Sequence, residues 1–224
     1  MRVTHLGHAC LLLEMADQRV LIDPGNFADG LGTVSDLDAI LVTHQHPDHL
    51  DPERIVDLVR ANPDARVLCD PMSVAVLSQL GVEGQAHTGT TTFGELTVTP
   101  VGAMHALIHD EIPRITNVGV LLSAPGEPRF FHPGDALDGD PGPVEVLAFP
   151  LNAPWQRSRE MTDFLRRHNA PHAIPIHDGL LQRRGRDLYL GQADRLGGAH
   201  SVVHDLAGGA PMTFDGTNHE PPSC

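Results

Sequence analysis

The stretch LVTHQHPDHLD, residues 41–51, decides how the rest of the chain is read. It sets His44, His46, Asp48 and His49 side by side, straight after the apolar run AILVT (39–43). In an extended segment residues two apart share a side, so His44 and His46 face one way. Asp48 and His49 then lie across the turn and face a second point close by, as ligands of a two-metal site do. Neutral imidazole and carboxylate suit Zn²⁺, Mn²⁺ or Fe²⁺, and the string contains no cysteine. A lone His-x-His would read as a solvated polar loop; the full His-x-His-x-Asp-His string reads as a metal site. The apolar, β-branched run before it suits a buried strand, which would hold these ligands rigidly at its tip yet open to a cleft.

Four ligands cannot complete two sites, so other segments must contribute. His105 follows the run TVTPV, Asp135 follows RFFH, and His177 ends AIPI. Each is a ligand type placed just past an apolar strand, as the first cluster is. That repeated placement argues that they converge.

These residues, in this order, resemble the metallo-β-lactamase superfamily, an α+β fold built as a four-layer αββα sandwich of metal-dependent hydrolases. The resemblance runs from residue 1 to about 180. It implies that His44, His46 and His105 hold one divalent metal, that Asp48, His49 and His177 hold another, and that Asp135 bridges both. It implies two metal ions, zinc before manganese or iron. The opening HLGHACLLLE is similar to the Gly-His-Ala-x-x-x-Leu start of the branch containing ascorbate-phosphate lactonases and N-acyl phosphatidylethanolamine phospholipase D. In that branch His8 lies near the metals, and LIDP places Asp23 behind a metal-bound histidine, since ligand histidines need an acceptor. His109 and Arg114, in the loop between His105 and the next strand, could border the substrate.

The activity so implied is hydrolysis of a small ester, lactone or phosphodiester by a dinuclear-metal-activated hydroxide. His8, Asp48 and Asp135 are the expected catalytic groups, His8 offering a proton or hydrogen bond to the substrate oxygen. Two other classes stay open: a non-catalytic metal-binding or sensory protein of the same fold, and a non-haem iron redox enzyme. His46 stands where flavodiiron oxygen reductases carry Glu, which disfavours the second. An Arg-lined pocket, using Arg114 or Arg157, would point to phosphate.

Composition agrees with a small-molecule enzyme. With 224 residues the chain can bury a large core, and it is read as one metallo-hydrolase domain over 1–224 with a frayed tail from about 216. Its formal net charge is -14 and all 15 basic residues are Arg. Such a surface repels phosphate backbones and disfavours nucleic acid as a partner. Long apolar spans and a signal-peptide pattern are both lacking, so integral membrane association is not expected and a cytoplasmic protein is. Cys10, Cys69 and Cys224 form no CxxC, and the first two sit in apolar contexts as core residues. Oligomeric state is not legible.

Apolar patterning predicts strands over 10–15 and 19–22, joined as a hairpin about Ala-Asp-Gln, and over 66–70, 93–101, 117–123, 129–132, 144–150 and 172–179. Helices are predicted from Asp51 as N-cap with Pro52 in the first turn, over 71–81 closed by Gly81, and over 158–169 capped by Ser158. The segment after Gly179 is Gly- and Arg-rich and carries no predicted element. The sole Trp, Trp155, could serve in the core or as a pocket wall.

Overall fold

A computed structural model describes residues 1–216; the expected frayed tail, Gly216 apart, and Cys224 lie outside the described residues. Alternation explains the first half. β1 (Arg2–Gly7), β2 (Cys10–Met15) and β3 (Gln18–Ile22) form an antiparallel meander. The β2–β3 turn places Ala16 and Asp17 at φ 50° and 58°, the paired left-handed geometry that fits a two-residue hairpin. β4 (Ala39–Val42), α1 (Ile55–Ala61), β5 (Arg66–Cys69), α2 (Ser73–Gln79) and β6 (Gln85–Ala86) continue the sheet in parallel.

The second sheet comprises β7 (Thr91–Phe93), β8 (Leu96–Val101), β9 (Gly119–Ser123), β10 (Phe130–His132) and β11 (Val146–Pro150). α3 (Ser158–His168), β12 (His172–Ile176), α4 (Arg183–Leu196) and β13 (Val202–Val203) complete it, and β14 (Met212–Thr213) returns to pair with β1. Among the described residues the strand orders are β14-β1-β2-β3-β4-β5-β6 and β13-β12-β11-β10-β9-β8-β7.

Three apolar layers hold these sheets. Leu11, Leu13 and Leu41 face Leu96, Val98 and Val146 between the sheets. Ile40, Val42 and Cys69 face the other way, onto Ile55 and Leu58 of α1 and Leu77 of α2. Leu147 and Phe149 likewise turn outward onto Met161, Phe164 and Leu165 of α3 and Ala193 of α4. β4 and β11 are therefore buried on both faces, which is why their sequences are continuously apolar. The result is an αββα sandwich. Cys10 and Cys69 are buried free thiols in its core.

Some predicted boundaries move. α1 starts at Ile55, not after Asp51, because the Asp51 carboxylate accepts the Glu53 N–H at 2.8 Å and binds Arg54, closing a separate turn. The run 93–101 is two strands, since Gly94 turns the chain at φ 55°. Ser158 is the first helical residue rather than the cap; Arg157 is extended there, and its N–H is met by the Glu160 carboxylate at 2.7 Å. α4, a 14-residue helix, fills the segment that carried no prediction, and β13 and β14 follow the last predicted strand. Among the described residues no helix is long and apolar enough to cross a membrane.

Candidate metal centre

Strand direction gathers the site. β1, β3, β4 and β5 run one way in the first sheet; β8, β10, β11 and β12 share one direction in the second. His8 follows β1, Asp23 follows β3, and His44–His49 follow β4. His105 follows β8, Asp135 follows β10, and His177 follows β12. Every one stands beyond the C-terminal end of a strand. The two sheet edges are tied together there: the Val118 N–H donates to Thr43 O at 2.9 Å, and the His177 N–H to His8 O at 2.9 Å. Gly134, at φ 61°, lies so near that a Cβ would come within 2.7 Å of Thr43 Oγ1.

Three overlapping groups of ligand atoms result: His44, His46 and His105; His8, Asp48, His49 and His177; and His44, His49 and Asp135. Hydrogen bonds on the far side of each ring fix which nitrogen faces inward. His49 Nδ1–H donates to Asp23 Oδ2 at 2.7 Å, His105 Nδ1–H to Ala106 O at 2.7 Å, and His177 Nδ1–H to Asn152 O at 2.8 Å. Thr43 Oγ1 gives its proton to Asp23 Oδ2 at 2.8 Å, so it accepts from His44 Nδ1–H at 3.1 Å. In all four rings the Nε2 lone pair is turned inward, as a metal requires. His49 Nε2, His105 Nε2, His177 Nε2 and Asp135 Oδ1 are buried without a hydrogen-bond partner. Such orphaned buried atoms are costly unless something cationic satisfies them. The donor set therefore fits a metal centre.

The electrostatics agree. Burial resists charge on His49, but the Asp135 and Asp23 carboxylates outweigh it and hold its pKa well above the ordinary imidazole value. Burial likewise resists charge on His177, and Asp135 overcomes it and raises the pKa. Burial works against ionising Asp135, yet His49 and His177 hold its carboxyl well below the usual range. Burial lowers the pKa of His44 strongly and that of His46 and His8 too. The pocket thus sets the Asp135 carboxylate at its centre and favours positive charge beside it, at His49 and His177, while His44, His46 and His8 are held toward the neutral form.

His8 takes its place through the backbone. The Gly179 N–H donates to its Nδ1 at 3.0 Å, so the ring proton is on Nε2, 3.1 Å from Asp48 Oδ2. His8, Asp23 and His177 all have positive φ, at 54°, 50° and 57°, strain that the packed strand ends hold in place. His132, at the end of β10, has both ring nitrogens occupied: Nε2 is bonded to Ala9 O at 3.0 Å and Nδ1 accepts the Gly134 N–H at 3.1 Å.

Residues 2–177 match the family described as the Beta-lactamase superfamily domain. The chain belongs to that superfamily. Protein Rv0786c of Mycobacterium tuberculosis is 43% identical over 195 residues, covering 86% of this chain and 91% of its own length. A UPF0173 metal-dependent hydrolase of Archaeoglobus fulgidus is 36% identical over 169 residues, covering 67% of this chain and 71% of its own. The metallo-beta-lactamase fold protein YhfI from Bacillus subtilis superposes with a TM-score of 0.72 at 17% identity, over 94% of this chain and 98% of that one, which speaks for the fold.

Within this superfamily frame the two loop residues part company. Arg114 donates from Nε and Nη2 to His105 O, at 2.9 and 2.6 Å, and lines a groove of about 740 Å³ beside the centre. His109 is exposed, accepts the Glu111 N–H at 3.1 Å, and is not among the groove's lining residues. Trp155 is the site residue that sequence reading left undecided. Its Nε1–H donates to Asp135 Oδ2 at 2.9 Å. Only its place in the 151–157 loop, after β11, hinted at this, because that loop leaves the same sheet edge as the ligands.

Proposed function

We propose that this protein is a dinuclear metal-dependent hydrolase of a small ester, lactone or phosphodiester, with zinc as the first choice of metal. The observation that carries the reading is the set of four imidazoles whose Nδ1 protons are all bonded outward, leaving Nε2 lone pairs around Asp135. His44, His46 and His105 would hold one cation, Asp48, His49 and His177 the other, and Asp135 would bridge them. The chemistry so supplied would be a water of lowered pKa and a polarised carbonyl or phosphoryl oxygen.

The chain's own residues supply the rest. Asp23, buried and bonded to His49 and to Thr43 N–H and Oγ1–H, fixes the tautomer and angle of a ligand ring. His8 keeps its proton on Nε2, facing the centre, because Gly179 N–H occupies Nδ1. It would donate that proton as a hydrogen bond to the substrate oxygen or the leaving group. The burial of His44, His49, His105, Asp135 and His177 strengthens each of these interactions.

The test is metal analysis with a hydrolysis screen. Two zinc or manganese ions per chain, with turnover of an ester, lactone or phosphodiester that a chelator abolishes, is the expected outcome. One tightly held ion without turnover would make the protein a binding or sensory member of the superfamily. Bound iron with oxygen consumption would make it a redox enzyme.

A further inference from the structure

Trp155 meets three of the groups assigned above as ligands at once. Its Nε1–H donates to Asp135 Oδ2 at 2.9 Å, and its ring centroid lies 6.0 Å from that of His105 and 6.5 Å from that of His177. It therefore touches one ligand of each proposed cation and the carboxylate between them. Its loop is tied to the centre as well, since Asn152 O accepts the His177 Nδ1–H at 2.8 Å.

The same indole lines the 740 Å³ groove, which is of the size that encloses a small organic molecule. Apolar side chains flank it there: Leu107, Ile108, Leu137, Pro154 and Phe164. Leu107 is 53% exposed, a large apolar surface that a ligand would cover. The charges along the groove cancel: Arg114, Arg157 and Arg167 stand with Asp138, Glu160 and Asp163. Two of the arginines are also occupied by backbone oxygens, Arg114 by His105 O and Arg167 by Leu137 O. The groove offers apolar area and no net charge, so the arginines do not make it a phosphate site.

We propose that Trp155 joins this groove to the reacting centre, its N–H orienting Asp135 and its ring taking the apolar part of the substrate. The substrate class is then a neutral ester or lactone with a bulky apolar substituent. This rests on the dinuclear hydrolase reading and narrows it. Trp155 is a positioning residue through Asp135 and a specificity residue through its ring.

Two variants separate these roles. Trp155→Phe keeps an aromatic ring and loses the N–H; Trp155→Ala loses both. Zn²⁺ affinity, by calorimetry on metal-free protein, reads the first role without any turnover. Both variants should bind zinc at least about 10-fold more weakly than the parent, the usual effect of removing a hydrogen-bond partner from a ligand. p-Nitrophenyl octanoate against p-nitrophenyl acetate reads the second. The parent should prefer octanoate in kcat/KM by at least about 10-fold, Trp155→Phe should keep that preference, and Trp155→Ala should lose it. Unchanged zinc affinity in Trp155→Phe would overturn the positioning role. A parent with no octanoate preference, or a preference that survives in Trp155→Ala, would overturn the groove role, as would faster turnover of bis(p-nitrophenyl) phosphate than of either ester. A parent chain that fails to bind two zinc ions overturns the dinuclear reading instead, so the two failures are told apart.

Discussion

At the residue scale the weight falls on side chains that hold other side chains. Asp23 is fully buried and accepts three hydrogen bonds, from Thr43 N–H, Thr43 Oγ1–H and His49 Nδ1–H. Asp23→Ala strands all three donors in the interior. It should cost about 3 kcal/mol of stability by urea unfolding, and weaken zinc binding by about 10- to 100-fold in calorimetry. His8 makes the contrasting case, because it is assigned to substrate oxygen. His8→Ala should leave two zinc ions bound and lower kcat by about 100-fold or more on whichever substrate the screen identifies. Unchanged turnover would remove His8 from the chemistry. His8 and Asp23 were both legible in the sequence, from the Gly-His-Ala opening and the strand-ending LIDP. The tautomer of His8 was not, because its determinant, Gly179 N–H, is 171 residues away.

At the scale of the element, α4 shows what periodicity misses. Its sequence RRGRDLYLGQADRL has only a narrow apolar face, with Ala193 its buried residue, so no strong stripe announced it. The helix is nevertheless anchored. Arg186, with a side chain 17% exposed, donates from Nε to Asp178 at 2.6 Å and from both terminal nitrogens to Asp205 at 2.7 and 2.5 Å. Asp178 follows His177, so this clamp steadies the turn that carries His177 and Gly179. Arg186→Met would leave the buried Asp178 charge unpaired and should lower stability by about 3 kcal/mol, read as a fall in the urea midpoint. In α3, His168 packs edge-on against Phe164 at 4.5 Å, and burial, with Arg167 beside it, pushes its pKa down from 6.5 to about 4. Between those two pH values the unfolded chain binds more protons than the folded one, so stability falls as pH drops through that window. His168→Gln should flatten the decline of Tm from pH 6.5 to 4.5 relative to the parent; an unchanged slope would assign that acid sensitivity to the other buried imidazoles.

At the scale of the whole molecule, the centre is a joint between two sheets, so what binds there should hold the fold together. Free zinc at 100 times its Kd should add about 2.7 kcal/mol per site, raising Tm by roughly 5–10 °C for a chain of this size. Chelation should reverse the gain, and the gain should shrink in acid because imidazole must be neutral to ligate. What the sequence alone determined was chemical and local: the imidazole and carboxylate side chains, their place after apolar runs, the buried strand β4, and through them the superfamily. The tertiary structure decided which of these meet. A strand's apolar pattern tells which face is buried, but the direction and neighbours of each strand come from pairings made across the whole chain. Only those pairings bring seven strand ends to one edge, turn four imidazoles inward around Asp135, and lay Trp155 between that carboxylate and the groove.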